Sequence, residues 1–351
     1  MLTLSTFSAR AQVTVPSVQS VKPSSSRWDS GAGFVFNQGK KKTLKIRQSV
    51  SGVACNLDAQ GKRICLLAFD EGSQARYAYP QDGRLAVDAE IVQFAGIHGE
   101  LDAEGAATDG RYVYVTGSHS AKRSDCSSNP SSRHVIRLLL DPATGRVVQG
   151  GQADTGRLWP LMQAQSALQA YVGERKCLGS EPPPKAPKLA GQQGINIEGL
   201  AVQNGRLYFG FRGPVVKGEA LVLAVDADAL FNGSDPHTNL TRLELGAHRG
   251  IRDMVAVSGG FLLLAGPDDD AASLATGWAV FWWDGKPVTT VAQPRLLAAL
   301  ELRQVKMRSC DGALKPEALT VLEESPKSYK LLVLSDGMCD GGALTFTVPK
   351  P

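Results

Sequence analysis

The chain has 351 residues, of which 43% are hydrophobic and 21% charged, and its formal net charge is +4. With this balance and a single basic run at Lys40, Lys41 and Lys42, the sequence lacks the clustered positive charge expected of a protein that binds nucleic acid. No apolar run approaches the roughly 18 residues of a membrane span, so we expect an ordinary globular chain.

The first segment, residues 1–42, is rich in Ser, Thr, Pro and Gly, and we expect a disordered tail and linker there. Ala9-Arg10-Ala11 has the A-x-A pattern of a signal-peptide cleavage site, but too few residues precede it for a complete signal peptide. The segment is therefore interpreted as the remnant of an export signal, the alternative being a chance match in a tail. Residues 42–47 are predicted to form a strand that closes the fold by pairing with the last repeat unit.

From residue 43 onward one sequence pattern repeats, in which a short strand, a tight turn and a second strand are followed by a third strand. Its clearest copy covers residues 196–210, with Asn204-Gly205 at the turn. Units of roughly 40–50 residues with several short strands are typical of a β-propeller. The sequence therefore predicts an all-β fold over residues 43–351, a single β-propeller of five or six blades. The third strands of its units are expected at residues 76–79, 134–140, 220–225, 278–283 and 343–348.

The interval between the second and third units is too long for one blade, so it either hides a sixth blade or holds an insertion at residues 151–193. Apolar residues at helical spacing predict a short amphipathic helix from Pro160 to Val172. A proline-rich stretch at residues 181–187 then predicts an extended segment. We expect the helix to supply packing surface, the alternative being a lid over the ring.

Six cysteines, an even number without a Cys-x-x-Cys motif, favour disulfides over zinc or redox chemistry. Their placement around one hairpin turn, in two long loops and within the last unit favours the pairs Cys55–Cys65, Cys126–Cys177 and Cys310–Cys339. Disulfides predict an oxidising compartment, the periplasm or the exterior of the cell. The alternative is six unrelated buried thiols.

Familiar catalytic motifs are missing from the sequence. It has no Gly-x-Ser-x-Gly elbow and no His-Glu-x-x-His zinc motif, and its five histidines show no ligand spacing. The stretch from Gly33 to Lys40 departs from the phosphate-loop pattern, so no nucleotide or organic cofactor is expected.

Four acids occupy the same place in four units, at the start of the first strand of each, and these are Glu104, Glu198, Asp253 and Glu317. If those strands are innermost, the four carboxylates converge on one mouth of the central channel, where they need a cation, arginine partners or raised pKa values. In one interpretation they bind a hard divalent cation such as Ca²⁺, which polarises a substrate ester, lactone or phosphate. In the other, each acid pairs with an arginine such as Arg212, Arg252 or Arg308, or accepts hydrogen bonds from backbone amides of the next blade.

A second ring is predicted at the ends of the following strands, near the opposite mouth, with Asp70, Glu71, His119, Arg212 and Asp336 as members. The candidate ligand-binding residues are therefore Arg212, Arg252, His119 and Asp336. The alternative for Asp336 and Glu71, each followed by glycine, is a simple turn.

The motif Asn196-Ile197-Glu198-Gly199-Leu200-Ala201-Val202, with Phe211-Arg212-Gly213-Pro214 after it, resembles a bacterial propeller family known as domain of unknown function 3616. Gly250-Ile251-Arg252-Asp253 and Lys315-Pro316-Glu317-Ala318-Leu319 fit the same family, and the resemblance covers about residues 43–348. It implies the propeller fold and no established activity. The family is similar to phytase-like esterase propellers and, more distantly, to gluconolactonase-type propellers, in which a Glu-Gly motif supplies a metal ligand. The resemblance thus implies that role for Glu198, and less directly for Glu104 and Glu317.

Two functions remain open from the sequence. One is a divalent-metal-dependent hydrolase of esters, lactones or phosphoesters. The other is a non-catalytic module that binds a peptide, a glycan or a small molecule. In either case we expect a monomer.

Overall fold

The computed structural model describes residues 19–176, 178, 194–268 and 276–351, and these build five mainly antiparallel sheets. In chain order the strands are β1 (Ser20–Val21), β2 (Val50–Leu57), β3 (Arg63–Phe69), β4 (Gln74–Gln81), β5 (Arg84–Gln93), β6 (Ala103–Thr108), β7 (Tyr112–Gly117), β8 (Val135–Leu140), β9 (Val147–Thr155), β10 (Asn196–Gln203), β11 (Arg206–Gly213), β12 (Glu219–Asp226), β13 (Asn239–Glu244), β14 (Arg249–Val257), β15 (Gly260–Pro267), β16 (Ala279–Trp283), β17 (Val291–Ala292), β18 (Arg295–Leu300), β19 (Lys315–Glu324), β20 (Ser328–Asp336) and β21 (Leu344–Pro349). The helices are α1 (Lys40–Arg47), α2 (Leu158–Ala164) and α3 (Ala227–Asn232).

Each sheet is one blade, and the blades follow one another along the chain. Blade 1 is β2–β5, blade 2 is β6–β9, blade 3 begins with β10–β13, blade 4 contains β14, β15, β16 and β18, and blade 5 is β19–β21. The strands predicted as the third of each unit are β4, β8, β12, β16 and β21, so the repeat in the sequence is the blade in the structure.

The five innermost strands close a ring around the central axis. β2 contacts β6, β6 contacts β10, β10 contacts β14, β14 contacts β19, and β19 contacts β2. Because β6 contacts β10 directly, no blade lies between blades 2 and 3. The fold is a five-bladed β-propeller, and the long interval in the sequence holds an insertion.

Close packing of neighbouring inner strands depends on glycine. A Cβ atom added at Gly105 of β6 would lie 2.7 Å from Cβ of Leu200 and 2.9 Å from the Leu200 backbone nitrogen in β10. At Gly199 the added atom would lie 2.8 Å from the Ile251 side chain of β14. These glycines directly follow Glu104 and Glu198, so the Glu-Gly pattern brings adjacent blades together as well as placing an acid.

The N-terminal part of the described chain runs along the outside of three blades. β1 pairs in parallel with β18 of blade 4, and the N–H groups of Ser24 and Trp28 then donate to the carbonyl oxygens of Thr345 in β21 and of Ala343 just before it, in blade 5. A bridge between Asp29 and Arg84 continues the contact into blade 1. Residues 20–29 therefore complete the outer edge of blade 5, which has three strands of its own, and link it to both neighbours.

The predicted strand at residues 42–47 is wrong, because the structure has α1 there. Ile46 is the buried residue of this helix, and Arg47 donates to the Asp340 carboxylate at 2.9 and 2.6 Å. The closure expected of this segment is made earlier in the chain, by residues 20–29.

Within the insertion, α2 is shorter than the predicted helix. Gln165 takes an extended backbone with φ −81° and ψ 120°, which ends the helix. Leu158, Met162, Leu168 and Val172 are all buried in the core cluster shared by blades 2 and 3. This burial favours the packing interpretation over the lid. The proline-rich stretch at residues 181–187 lies outside the described residues.

Two of the predicted disulfides, Cys55–Cys65 and Cys310–Cys339, are formed. Cys126 is buried, and its predicted partner Cys177 lies outside the described residues. Among the helices that the structure describes, none has the length and apolar character needed to cross a membrane.

Candidate functional site

A β-bulge at the start of each inner strand determines which side chain faces the axis. In β6 the ladder to β7 passes from Ala103 to Gly105 and leaves Glu104 unpaired. The same irregularity in the other inner strands leaves out Ser51, Glu198, Arg252 and Glu317. A bulge re-aims one side chain out of the sheet. The structure thus defines an axial ring of Ser51, Glu104, Glu198, Arg252 and Glu317, one residue from each blade.

Arg252 neutralises two members of this ring. Its Nε lies 2.8 Å from Oε2 of Glu198, and its terminal nitrogen contacts Oε1 of Glu317. Arg212 contributes a further contact, at 2.9 Å, to Oε1 of Glu198. Burial raises the pKa of Glu317 to about 8, while the Arg252 guanidinium opposes that shift. Two of the four predicted metal ligands, Glu198 and Glu317, are thus held by arginine.

The prediction that Asp253 belongs to the ring is wrong by one residue, because the bulge gives that position to Arg252. The carboxylate of Asp253 is fully buried and accepts hydrogen bonds from the backbone N–H groups of Met254, at 2.7 Å, and Leu319, at 2.5 Å. Leu319 belongs to the next blade, so Asp253 joins blades 4 and 5. Burial still raises the pKa of Asp253 well above its ordinary value, despite these hydrogen bonds.

Glu104 is the ring member without a protein partner. Among the described residues, no side chain or backbone group forms a hydrogen bond or ion pair with its carboxyl group, and the residue is only 8% exposed. Burial raises the pKa of Glu104 well above its ordinary value, and the nearby Glu198 and Asp102 carboxylates add to the shift. A buried carboxyl group in this state needs a proton or a cation from outside the protein.

The second predicted ring lies at the same mouth as the axial ring, which corrects the expectation that it lies at the opposite one. The first two strands of each blade are antiparallel, so the end of the second strand lies beside the start of the first. Lys315 at the start of β19, for example, pairs with Asp336 at the end of β20. Both rings therefore contribute to one site.

Together they line a cavity of about 780 Å³ at this mouth, which we call the axial cavity. Its walls carry eight carboxyl side chains and five Lys or Arg side chains, namely Asp70, Glu71, Glu100, Asp102, Glu104, Glu198, Glu317 and Asp336 with Lys45, Lys122, Arg123, Arg212 and Lys315. Burial raises the pKa of four of these carboxyl groups, those of Asp70, Asp102, Glu104 and Glu317, so the charge of the cavity depends on whether they hold protons or a cation.

Two further oxygen atoms in the cavity have no partner. Oδ1 of Asp70 and Oδ1 of Asn196 are buried without a hydrogen bond among the described residues. Burial, followed by the neighbouring Asp336 carboxylate, raises the pKa of Asp70 well above its ordinary value. Asn196 begins the motif that carries the family resemblance, but its role in lining the site was not predicted, because an asparagine before a strand carries no charge signal.

Asp102, also in the cavity wall, was missed by the sequence reasoning. It adopts a φ of 55°, which is uncommon for a residue other than glycine. Its carboxylate accepts a hydrogen bond from the Ser118 hydroxyl, and burial raises its pKa.

His119 does not face the cavity, although it was a candidate ligand-binding residue. It is fully buried, and its Nδ1–H donates to the carbonyl oxygen of Gly117 at 3.0 Å. Burial lowers the pKa of His119 to about 4. Of the other three candidates, Arg212 and Asp336 line the cavity and Arg252 lies in the axial ring beneath it.

Preformed metal clusters are scarce in the part of the chain that the structure describes. One group of three acidic or thiol ligand atoms lies within 4.8 Å of one another, and it consists of Cys310, Asp311 and Cys339. Because these two cysteines are joined in a disulfide, they cannot supply thiolates to a metal. The carboxylates of the cavity are more widely spaced, so an ion there would keep water or substrate among its ligands.

The family model described as protein of unknown function (DUF3616) matches residues 63–143 and 186–341, which is more than half of the chain. No curated protein matches the chain.

Several solved structures share its outline. The PQQ-bound aldose sugar dehydrogenase from Streptomyces coelicolor is 14% identical, with a TM-score of 0.39 over 86% of this chain and 94% of that one. Regucalcin, a calcium-binding protein from Agrobacterium tumefaciens, is 12% identical, with a TM-score of 0.39 over 94% and 95%. An exo-β-1,3-galactanase from Clostridium thermocellum is 8% identical, with a TM-score of 0.44 over 94% and 62%. At these scores the similarities carry no argument about activity.

Proposed function

This chain belongs to the family described as protein of unknown function (DUF3616), and we propose that its axial cavity is the active site of a divalent-cation-dependent hydrolase of esters, lactones or phosphoesters. The observation that carries the proposal is Glu104, a buried carboxyl group in the axial ring without a partner among the described residues. The proposal shifts the central role from Glu198, which two arginines already neutralise, to Glu104.

The donor set fits a hard cation such as Ca²⁺. The available groups are the Glu104 carboxylate, Oδ1 of Asp70 and the amide oxygen of Asn196, all of which are oxygens in the cavity wall. Ca²⁺ and Mg²⁺ prefer oxygen ligands, and a site with one or two carboxylates commonly retains several waters. The wide spacing of the carboxylates agrees with an ion whose remaining positions are open to substrate.

A bound cation would act as a Lewis acid toward a carbonyl or phosphoryl oxygen. The protein's own groups would do the rest. Arg252, fixed between Glu198 and Glu317, keeps the ring rigid and prevents those two carboxylates from competing for the ion. Asp102, whose pKa burial raises, is the carboxyl group of the wall that can hold or transfer a proton beside the ion.

The site of action is proposed to be outside the cytoplasm. Disulfides persist in oxidising compartments, and Cys55–Cys65 and Cys310–Cys339 are both formed. We propose the periplasm or the exterior of the cell.

The test is binding of Ca²⁺ and Mg²⁺ by isothermal titration calorimetry to chelator-treated protein, with metal content of the untreated protein measured in parallel. We expect one ion per chain and a binding constant at least about tenfold weaker in Glu104→Gln, which corresponds to about 1.4 kcal/mol. Glu71→Gln is the matched control, because it removes a carboxylate of the same cavity that already pairs with Lys45. Wild-type protein that binds no ion, or equal losses in both variants, would refute the cation site. Light scattering on the same samples checks the expected monomer.

The alternative is a non-catalytic module that binds a small molecule, glycan or peptide in the cavity. The observation in its favour is that, in the described ranges, no three carboxylates of the cavity approach within 4.8 Å. This alternative predicts ligand binding without turnover that is indifferent to chelators.

A further inference from the structure

A second groove, of about 680 Å³, adjoins the axial cavity. The two share Lys45, Glu71 and Glu100 in their walls, so a ligand can extend from one into the other. The remaining walls of the groove are Lys41, Lys42 and Leu44 of α1, with Gln48. One helix therefore forms the distal side of an extension of the proposed site.

The charge of α1 is not explained by helix stability. Its first turn carries Lys40, Lys41 and Lys42 and has no acidic residue. Positive charges near a helix N-terminus oppose the helix dipole and destabilise the helix. A sequence selected for the stability of α1 alone would place acids there.

Lys41 and Lys42 are exposed, and within residues 19–176, 178, 194–268 and 276–351 neither forms an ion pair. Lys45, on the cavity side, is instead bonded to Glu71. The exposed Glu100 lies on the same shared side. The acids of the groove are therefore next to the cavity, and its far end is cationic.

The far end also has an apolar contact surface, because Leu44 is 38% exposed in the groove wall. The helix that presents these side chains is held in place. Ile46 is buried, Arg47 is bonded to Asp340, and the Thr43 hydroxyl donates to the carbonyl oxygen of Gln38 at 3.1 Å. The lysines are thus displayed on a fixed element, which lowers the entropy cost of binding a ligand.

We propose that this groove is a subsite for the anionic, partly apolar arm of a ligand whose reacting group occupies the axial cavity. The inference rests on the proposed function and narrows it to esters, lactones or phosphoesters that carry a second anionic group. The sulfonate, carboxylate or phosphate of that arm would contact Lys41 and Lys42, and its apolar part would lie against Leu44.

The test uses naphthalene disulfonate, a fluorescent anion with an apolar ring that a hydrolase cannot cleave, titrated into the full-length protein. We expect the double variant Lys41→Gln/Lys42→Gln to bind it about tenfold more weakly than wild type, since two exposed ion pairs with the probe are lost. Leu44→Glu, which adds a carboxylate to the groove, should weaken binding as well.

The matched control is Lys327→Gln/Lys330→Gln, which removes the same charge from the turn before β20 and from β20 itself, where neither residue lines the cavity or the groove. We expect its affinity to stay within twofold of wild type. No binding by wild type, or equal weakening in both double variants, would overturn the subsite. Glu104→Gln separates the two proposals, because it should lose the cation and keep the probe.

Discussion

The arginine at the centre of the axial ring makes the sharpest prediction about stability. Arg252 is 3% exposed at its side chain and contacts two glutamates that are 2% and 7% exposed. Replacing it by glutamine leaves Glu198 with Arg212 alone and Glu317 with the Ser51 hydroxyl, at 3.4 Å. Breaking a buried ion pair by removing one partner usually costs about 3–5 kcal/mol.

Protonation sets an upper limit on that cost. A buried glutamate that loses its partner can bind a proton instead. The free-energy cost of protonating it is about 1.36 kcal/mol for each pH unit by which the solution lies above an ordinary glutamate pKa, and at pH 7 that difference is roughly 2.5 units. One such glutamate therefore limits the loss to about 3 kcal/mol at pH 7 and to about 1 kcal/mol at pH 5. Burial already raises the pKa of Glu317 to about 8, and the loss of Arg252 removes a group that opposes this shift, so Glu317 takes up a proton at little cost and adds little to the loss. We expect Arg252→Gln to lower the free energy of unfolding by about 3 kcal/mol at pH 7 and by no more than about 1 kcal/mol at pH 5.

The assay is urea unfolding of chelator-treated protein at both pH values, followed by tryptophan fluorescence. Arg242→Gln is the control, since Arg242 forms an exposed pair with Glu219 at 3.4 Å, and it should cost less than about 0.5 kcal/mol. The triple variant Glu198→Gln/Arg252→Gln/Glu317→Gln should recover part of the loss, because it removes the two carboxylates that contact Arg252. A loss in Arg252→Gln that is equally large at pH 5, or one below about 1 kcal/mol at pH 7, would show that the ring is not held by these ion pairs.

Three further predictions concern other parts of the fold. The pKa of His119 is about 4 in the folded state and 6.5 in the unfolded state, so its contribution to stability is full above pH 6.5 and is lost as pH falls toward 4. The variant His119→Asn, in which asparagine tolerates the φ of 55°, should remove up to about 3 kcal/mol of this acid-induced loss in urea unfolding. An unchanged dependence of stability on acid pH would contradict the burial of His119 as a neutral group. Gly105→Ala should lower the unfolding free energy by about 1–3 kcal/mol because its Cβ meets the β10 backbone, whereas Gly173→Ala, with its nearest neighbour at 3.4 Å, should be nearly neutral in the same assay. Asp340 accepts from Arg47 and from the Phe34 N–H at 2.9 Å, so Asp340→Asn should release residues 20–47 to limited proteolysis well before the blades, and simultaneous cleavage of both would argue against this anchor.

The repeat predicted the architecture because blades are equivalent by rotation. Strand, turn and strand recur at each blade, and the Asn204-Gly205 turn, with φ values of 53° and 74°, is a hairpin signal that sequence alone reveals. The closure by residues 20–29 could not be predicted in the same way, because β1 is two residues long and the edge it completes is made by backbone hydrogen bonds. Backbone contacts of this kind leave almost no pattern of side chains in the sequence from which the strand pairing could be predicted.

The site was predictable to within one residue. The sequence places acids at the starts of the inner strands, but the bulge that selects the axial side chain adds a residue without changing the hydrophobic pattern. In blade 4 this difference exchanges Asp253 for Arg252, and so it exchanges a fourth acid for the cation that neutralises two others. Of the four carboxylates predicted to need a cation, arginine partners or raised pKa values, Glu198 and Glu317 have arginine partners, and Glu104 is the ring carboxylate left without one.

The position of Glu104 within the ring follows from the order of the blades. Arg252 of blade 4 reaches the glutamates of its two neighbours, Glu198 in blade 3 and Glu317 in blade 5, and Ser51 of blade 1 approaches Glu317. Only blade 2 is then left without a contact inside the ring, and its acid lines the same cavity as the unpartnered oxygens of Asp70 and Asn196. If an arginine stood in place of Ser51, the ring would be self-neutralised and would need no ion. Ser51→Arg is therefore a direct test of the reasoning, since it should abolish cation binding while every acid of the cavity remains in place, and undiminished binding in that variant would mean that the ion is held elsewhere.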